Sequence, residues 1–232
     1  MTVTAVQYGV GPIGQRIVEV ADERGIEFVG AIDVDPEKVG RDLGDVSGLD
    51  TEIGVEITDD PESALDVSPD VVFHSTISSV SAIEPQIEAA VKAGADVVST
   101  TEELSYPWYH NPEAAAEIDA IAESHGQTVL GTGINPGFAM DTLPSVLTTP
   151  CQAVESIQVT RVQNASERRK PLQEKVGAGM SRDRWEEEIA PEAGHVGLQE
   201  SVAMLAAAMG WELSAIEETI EPVVAETETP SD

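Results

Sequence analysis

Gly9, Gly11 and Gly14 stand in the order G-x-G-x-x-G, and Asp33 follows nineteen positions after Gly14. These residue types at this spacing suit a pyrophosphate and the ribose beside it. Gly9 permits a tight turn off a strand, Gly11 lets backbone approach phosphate, and Gly14 lets a helix lie close to the strand. Pro12 and Ile13 open that helix, whose first-turn N–H groups and partial positive charge suit the anion. A carboxylate at Asp33 can accept hydrogen bonds from a ribose 2′-hydroxyl, and its charge repels a 2′-phosphate. NAD is therefore the expected cofactor, although the nearby Arg41 leaves room for NADP. The competing explanation is a glycine-rich turn in some other α/β domain; the strand, helix, second strand and acidic end together argue against it.

Further candidates lie at later strand ends. Ser75 and Thr76 open a small, hydroxyl-rich loop that can lie along the nicotinamide ribose and pyrophosphate, or serve only as a hydrophilic capping turn. Glu102 and Glu103 follow the apolar run 97–99. Adjacent carboxylates there point in different directions, so one faces the cleft. It can act as a base or pair with an ammonium substrate; the bland reading is a solvated surface pair. In Gly131-Thr132-Gly133-Ile134-Asn135-Pro136-Gly137, glycine-freed backbone and the Asn135 amide can fix the nicotinamide carboxamide or the substrate, with Pro136 beside it. The same segment also suits an interdomain hinge. His195, flanked by glycines in a polar loop, is the histidine best placed for function. His74, on a strand, reads as a core residue, and His110 and His125 as surface residues near helix ends. No metal-ligand cluster and no nucleophile elbow stand in the sequence.

The elements that must position these groups alternate in kind. Apolar runs at 3–8, 28–33, 54–58, 71–74, 97–99 and 128–131 predict strands, and periodic stretches at 13–24, 61–65, 83–93 and 112–125 predict helices. Asp35-Pro36-Glu37 predicts the start of a short helix, and Gly94 and Gly126 predict helix ends. The alternation predicts an α/β fold with a Rossmann-type doubly wound parallel sheet over residues 1–135. Its ligands belong beyond the carboxyl ends of the strands. A helix is then predicted at 140–147, a strand at 156–162, a polar loop from 164 to 197, a helix at 199–209 and a strand at 219–225. Residues 136–225 thus look like a partial α+β substrate or oligomerisation domain, and 226–232 like an acidic tail.

Composition narrows the partners. The 232 residues carry 43 Asp and Glu against 12 Lys and Arg, a net charge of −31. Such a surface repels nucleic acid and anionic membranes. The acids are spread along a well-patterned chain, so disorder explains them poorly. They suit a halophilic source, in which salt screens the repulsion. Cys151 stands alone, which fits a reducing interior. With no secretory pattern and no apolar stretch of spanning length, a soluble, cytoplasmic protein is expected.

Taken together, these residues resemble a known family. Gly9–Gly14 with Asp33, the run Val98-Ser99-Thr100-Thr101-Glu102-Glu103-Leu104-Ser105-Tyr106-Pro107, and Gly131–Gly137 with Asp141-Thr142-Leu143-Pro144 are similar to the 2,4-diaminopentanoate dehydrogenases. So are Lys175-Val176-Gly177-Ala178-Gly179 and Gly194-His195-Val196-Gly197-Leu198 with Glu200-Ser201. That family is dihydrodipicolinate-reductase-like and includes native amine dehydrogenases. The resemblance implies an NAD(P)-dependent oxidoreductase acting on the CH–NH2 group of a small amine or diamino acid. A hydride leaves the amine carbon, the imine adds water and ammonia departs, or the reverse. The family's catalytic glutamate maps onto the Glu102-Glu103 pair, with Glu102 favoured. Its implied roles are to hold the substrate ammonium and to activate water or shuttle a proton.

Family members are longer, so the chain is expected to be a truncated or naturally short form. A homodimer or higher homo-oligomer would cover the edges left open. Two other readings stand beside the first. One is dihydrodipicolinate reductase, against which the histidine- and lysine-rich substrate motif of such enzymes is missing. The other is a non-catalytic NAD-binding protein or an inactive short form.

Overall fold

A computed structural model describes residues 2–164, 170–190 and 196–223. Six strands form one parallel sheet: β1 (Thr4–Tyr8), β2 (Glu27–Ile32), β3 (Ile57–Thr58), β4 (Val71–His74), β5 (Asp96–Ser99) and β6 (Val129–Gly131). Their order is β3-β2-β1-β4-β5-β6. Helices α1 (Pro12–Glu23), α2 (Leu43–Val46), α3 (Pro61–Leu65), α4 (Val80–Lys92) and α5 (Pro112–His125) lie between them in the chain. The strand order reverses at β1 and β4, which makes the sheet a doubly wound Rossmann type with its crevice beyond that switch point.

Alternation within the strands builds two cores. Val6, Tyr8, Val72 and Val97 face one side and pack with Ile83, Ile87 and Val91 of α4 and Ile118 of α5. Ala5, Phe28, Ala31 and Ile57 face the other and pack with Val18 and Ala21 of α1 and Leu43 of α2. One face is therefore covered along the sheet and the other over β1–β4, while Leu130 of β6 stays 52% exposed.

Register aligns the strand ends. Tyr8 pairs with Ile32 and with His74, His74 with Ser99, and Ser99 with Gly131. The backbone bonds just beyond continue the same line. Gly9 N–H donates to Ile32 at 2.8 Å, Ser75 to Tyr8 at 2.8 Å, Thr100 to His74 at 2.9 Å and Thr132 to Ser99 at 2.8 Å. The loops carrying the candidate residues thus leave the sheet side by side, although they are far apart in sequence.

Beyond β6 come α6 (Thr142–Thr148), α7 (Lys170–Lys175), α8 (Arg182–Glu188) and α9 (Leu198–Met209). Helix α9 packs on α6 and on the 3-10 turn Glu102–Ser105 that follows β5. Several expectations need correction. The helix predicted from Asp35 is a single turn: Lys38 and Val39 N–H donate to the Asp35 carbonyl, and Gly40 at φ +84° ends it. The helix begins instead at Leu43, where the Asp42 side chain accepts from Gly44 and Asp45 N–H. Residues 156–162 form no strand: no neighbouring strand pairs with them among the described residues, and Val162 is 90% exposed. Residues 219–223 are likewise unpaired, and 224–225 lie outside the described residues. The expected polar loop contains α7 and α8. Local charge pairs (Arg182–Glu186, Arg184–Glu188) and the burial of Trp185 hold α8, a pattern that hydrophobic periodicity alone does not show.

Candidate active site

The glycine turn is braced from inside. Gly9 adopts φ +91°, and a Cβ there would collide with the Ser75 carbonyl. Its own carbonyl accepts from Gln7 Nε2 at 2.8 Å and Ser75 Oγ at 2.9 Å. A Cβ on Gly14 would strike that same carbonyl, with Gln7 Nε2 and Ser75 Oγ each 2.9 Å away. Gly11 is the opposite case, since nothing lies within 4 Å of a Cβ built there. It caps α1 in an extended conformation, and no side chain caps the helix. The Ile13 and Gly14 amides of the first turn therefore have no intrahelical partner. Open space over a bare helix N-terminus fits a pyrophosphate. The sequence reading missed Gln7, a wholly buried polar side chain in an otherwise apolar strand. That polarity was the available signal.

Asp33 sits at the end of β2 with its side chain 10% exposed. Its Oδ2 accepts from Val10 N–H at 2.7 Å and from Lys38 Nζ at 3.2 Å, and its Oδ1 from Asp35 N–H at 2.9 Å. Burial pushes the carboxyl up, but the hydrogen bonds from Asp35, Val10 and Lys38, with the Lys38 charge, outweigh it and hold Asp33 below the usual range. Asp33 is thus an anion tied to the glycine turn itself. The cation beside it is Lys38, whereas Arg41 pairs with Asp45.

At the end of β4 the hydroxyls are engaged by protein groups, although Thr76 is an exposed residue. Ser75 accepts from Gln7 as well as donating to Gly9. Thr76 Oγ1 donates to Gln86 Oε1 at 2.9 Å and lies 3.1 Å from His74 Nε2. His74 is fully buried, as expected of a core residue, with Nδ1 2.9 Å from Ser99 Oγ and Nε2 2.7 Å from Gln86 Oε1. Burial holds its pKa below the usual histidine value, although the Gln86 contact opposes this.

The two glutamates part company. Glu103 Oε2 accepts from Val80 N–H at 2.8 Å, at the start of α4, and from Asn111 Nδ2 at 3.3 Å. It does for α4 what the cap residue Ser79 does not. The Glu102 side chain makes no hydrogen bond among the described residues and remains available. Beside it, Pro136 packs into the space that a side chain on Gly197 would need, and a Cβ at Gly197 would lie 3.3 Å from Glu102 Cβ. The structure therefore brings together Glu102, the Asn135-Pro136 loop and the segment just after His195. His195 itself lies outside the described residues. Asn135 Oδ1 is buried without a hydrogen-bond partner among the described residues, an acceptor suited to an amide or ammonium donor.

Three buried groups nearby escaped the sequence reading as site supports. Asp141, fully buried, accepts from Gly137 N–H at 2.8 Å, from Thr142 N–H and from Ser201 Oγ at 2.7 Å. Glu200, 3% exposed, pairs with His110 Nδ1 at 2.7 Å. His110 is thus a surface histidine, as expected, that also holds a buried partner. Among the described residues no helix is long and apolar enough to cross a membrane.

Fold and site define a Rossmann-type α/β protein in which a free glutamate and an asparagine loop lie side by side beyond the carboxyl ends of adjacent strands. Comparison with known proteins gives the relatives. Residues 138–232 match the family model of the 2,4-diaminopentanoate dehydrogenase C-terminal domain. The chain is 39% identical over 165 residues to 2,4-diaminopentanoate dehydrogenase of Acetoanaerobium sticklandii, covering 70% of this chain and 47% of that protein. It is 29% identical over 226 residues to an amine dehydrogenase of Streptomyces virginiae, covering 94% and 62% respectively. The structure of amine dehydrogenase from Mycobacterium smegmatis superposes with TM-score 0.79 at 27% identity, over 100% of this chain and 69% of that one. The chain is thus a relative of the 2,4-diaminopentanoate and amine dehydrogenases, and the resemblance read from the motifs holds. It spans less than two thirds of the length of the curated relatives it matches.

Proposed function

We propose that the protein is an NAD(P)-dependent oxidoreductase that deaminates a small primary amine or diamino acid oxidatively, or runs the reverse reductive amination. The observation that carries this reading is the division of labour between two adjacent glutamates. Glu103 is committed to the start of α4, whereas the Glu102 side chain, whose Cβ lies beside Gly197, keeps an uncommitted carboxylate. The relatives named above are dehydrogenases of amines, and the same chemistry is the natural use of such a carboxylate.

The bare N-terminus of α1 and the open face of Gly11 would hold the cofactor's pyrophosphate, and Asp33 would accept from the ribose and favour NAD over NADP. When bound, the nicotinamide supplies a two-electron hydride acceptor. Glu102 pairs with the substrate ammonium, orients its carbon toward the cofactor, takes one proton from it and passes that proton to solvent, so that the lone pair of the neutral amine can form the C=N bond as the hydride leaves. As positive charge develops on the imine carbon and nitrogen, the same carboxylate stabilises it. Glu102 then takes a proton from the attacking water and returns it to the departing amine. Asn135 offers its unsatisfied Oδ1 to the carboxamide or to the substrate, with Pro136 as a rigid wall.

Titration with NAD and NADP, followed by an amine panel monitored for NADH formation, tests the reading. Binding of NAD and turnover of at least one amine are expected. NAD binding without turnover of any amine would leave a non-catalytic binding protein, and NADPH-dependent reduction of dihydrodipicolinate would move the assignment to that reductase.

A further inference from the structure

Adjacent residues of α9 reach into two different loops of the candidate site. Glu200 takes His110, which lies beyond the Glu102–Ser105 turn in the loop leading to α5. Ser201 donates to Asp141, which also binds Gly137 N–H at the end of the Asn135-Pro136 segment. Both α9 residues are buried, at 3% and 2% exposure. Just before the helix, Gly197 at φ +92° fills the gap between Pro136 and Glu102, and any side chain there would collide with the proline ring. One helix is therefore attached to the loop of the free carboxylate, to the loop of the unsatisfied amide, and to the gap between them.

We infer that α9 is a positioning brace that sets Glu102 and Asn135 in register beside one another at the carboxyl end of the sheet, with Glu200, Ser201 and Asp141 as its positioning residues. The polar pairs are costly as simple glue. A buried carboxylate is stabilising only when its partners are well placed, and an apolar contact would pack the helix with less risk. What these pairs add is direction: hydrogen bonds fix distance and angle at loops that would otherwise slide. The placement matters because a displacement of about 1 Å at a reacting group can cost on the order of 100-fold in rate. The phosphate-binding turn is braced separately, by Gln7 and Ser75. The brace therefore acts on Glu102 and Asn135 and not on the phosphate-binding turn.

The inference rests on the amine dehydrogenase reading for its catalytic readout, so a second readout is independent of turnover. In the 232-residue chain, Ser201→Ala and Glu200→Ala are each expected to lower kcat about 10- to 100-fold, with KM for NAD changed by less than about twofold. Glu200→Gln keeps an acceptor for His110 and is expected to restore most of the rate. Amide hydrogen exchange should speed up at residues 102–105 and 132–137 in both alanine variants and stay unchanged at 9–14. Faster exchange spread equally over all three segments would reduce the pairs to general stabilisers and overturn the brace. Wild-type rates and exchange in both alanine variants would overturn it as well. Should the wild type turn over no amine while the two loops still respond selectively, the functional reading falls and the brace stands.

Discussion

The cofactor half and the substrate half of this molecule are held by different kinds of contact. Around the glycine turn, position is set by backbone: strand ends in register, a positive φ at Gly9, and a helix that touches Gly9 O wherever Gly14 would carry a side chain. Around Glu102 it is set by side chains that meet across long stretches of sequence, His110 with Glu200 and Asp141 with Ser201. Backbone-built sites tolerate few residue types at fixed spacing. Sites built from side-chain pairs can move by small rotations, so they need several partners to hold them.

The sharpest way to break this comparison is within the glutamate pair. Glu102→Ala is expected to lower amine turnover by about 10²–10⁴-fold while the NAD dissociation constant stays near the wild-type value. Glu103→Ala should instead lower the melting temperature, because it removes the acceptor at the start of α4, a loss of about 1 kcal/mol. Steady-state kinetics beside thermal melts separate the two. A dead Glu103 variant with an active Glu102 variant would reverse the assignment.

Next in size are the glycines. Gly14→Ala places a methyl group against the Gly9 carbonyl, and overpacking of this kind costs about 1–3 kcal/mol. NAD affinity should fall at least about tenfold as the turn shifts. Gly11→Ala meets open space, so it should leave stability unchanged and weaken only NAD binding. Isothermal titration and melting curves on both variants check this. Equal destabilisation by the two would mean that the space over Gly11 is not kept for a ligand.

This difference between the halves also explains what could be read from residues alone. The six strands, α1, α3 and α5 were legible because burial on both sheet faces leaves unbroken apolar runs, with glycine and proline marking their ends. The glycine fingerprint and Asp33 were legible because backbone geometry dictates their spacing. Gln7, Lys38 and the Asp141–Ser201 pair were not, since their partners are brought close only by folding. Lys38 stood five residues from Asp33, yet the turn that aims it depends on Gly40 and Asp35. The strand expected at 156–162 failed for a related reason. Alternation states a preference for one buried face, but a strand also requires a neighbour to bond, and no neighbour pairs with it among the described residues.

A smaller effect is expected from His74, which belongs to neither half alone because it joins β4 to β5 and α4. Burial lowers its folded pKa, whereas the unfolded chain protonates it near the ordinary value of about 6.5. Between those two values the unfolded state binds more protons, so stability rises with pH. The contribution is complete above about pH 6.5 and is lost progressively as pH falls toward the folded value. Melting curves from about pH 7.5 to 5.5 should therefore slope less for His74→Gln than for the wild type, the difference being at most about 1.4 kcal/mol per pH unit. Parallel slopes would mean that the buried ring takes a proton without penalty.

The least local effect is the response to salt. Among the described residues, the Arg–Glu and Lys–Glu pairs on the helices, such as Arg16–Glu19 and Lys92–Glu88, are exposed and three or four residues apart. Each is worth about 0–1 kcal/mol and weakens as salt is added. Against them stands the net charge of −31. Its crowding is visible between α4 and α5, where a hydrogen bond with Glu117, then desolvation and the charges of Glu117 and Glu88, raise the pKa of Glu84. Repulsion acts between many carboxylates and attraction between few pairs, so screening should stabilise the fold on balance. The Debye length shrinks from about 10 Å at 0.1 M to about 3 Å at 1 M. Each kcal/mol of relief would raise the melting temperature by about 2–4 °C. We propose on this ground that the chain is adapted to high salt, and a melting temperature that stays flat or falls between 0.1 M and molar salt would show that the local pairs outweigh the general repulsion.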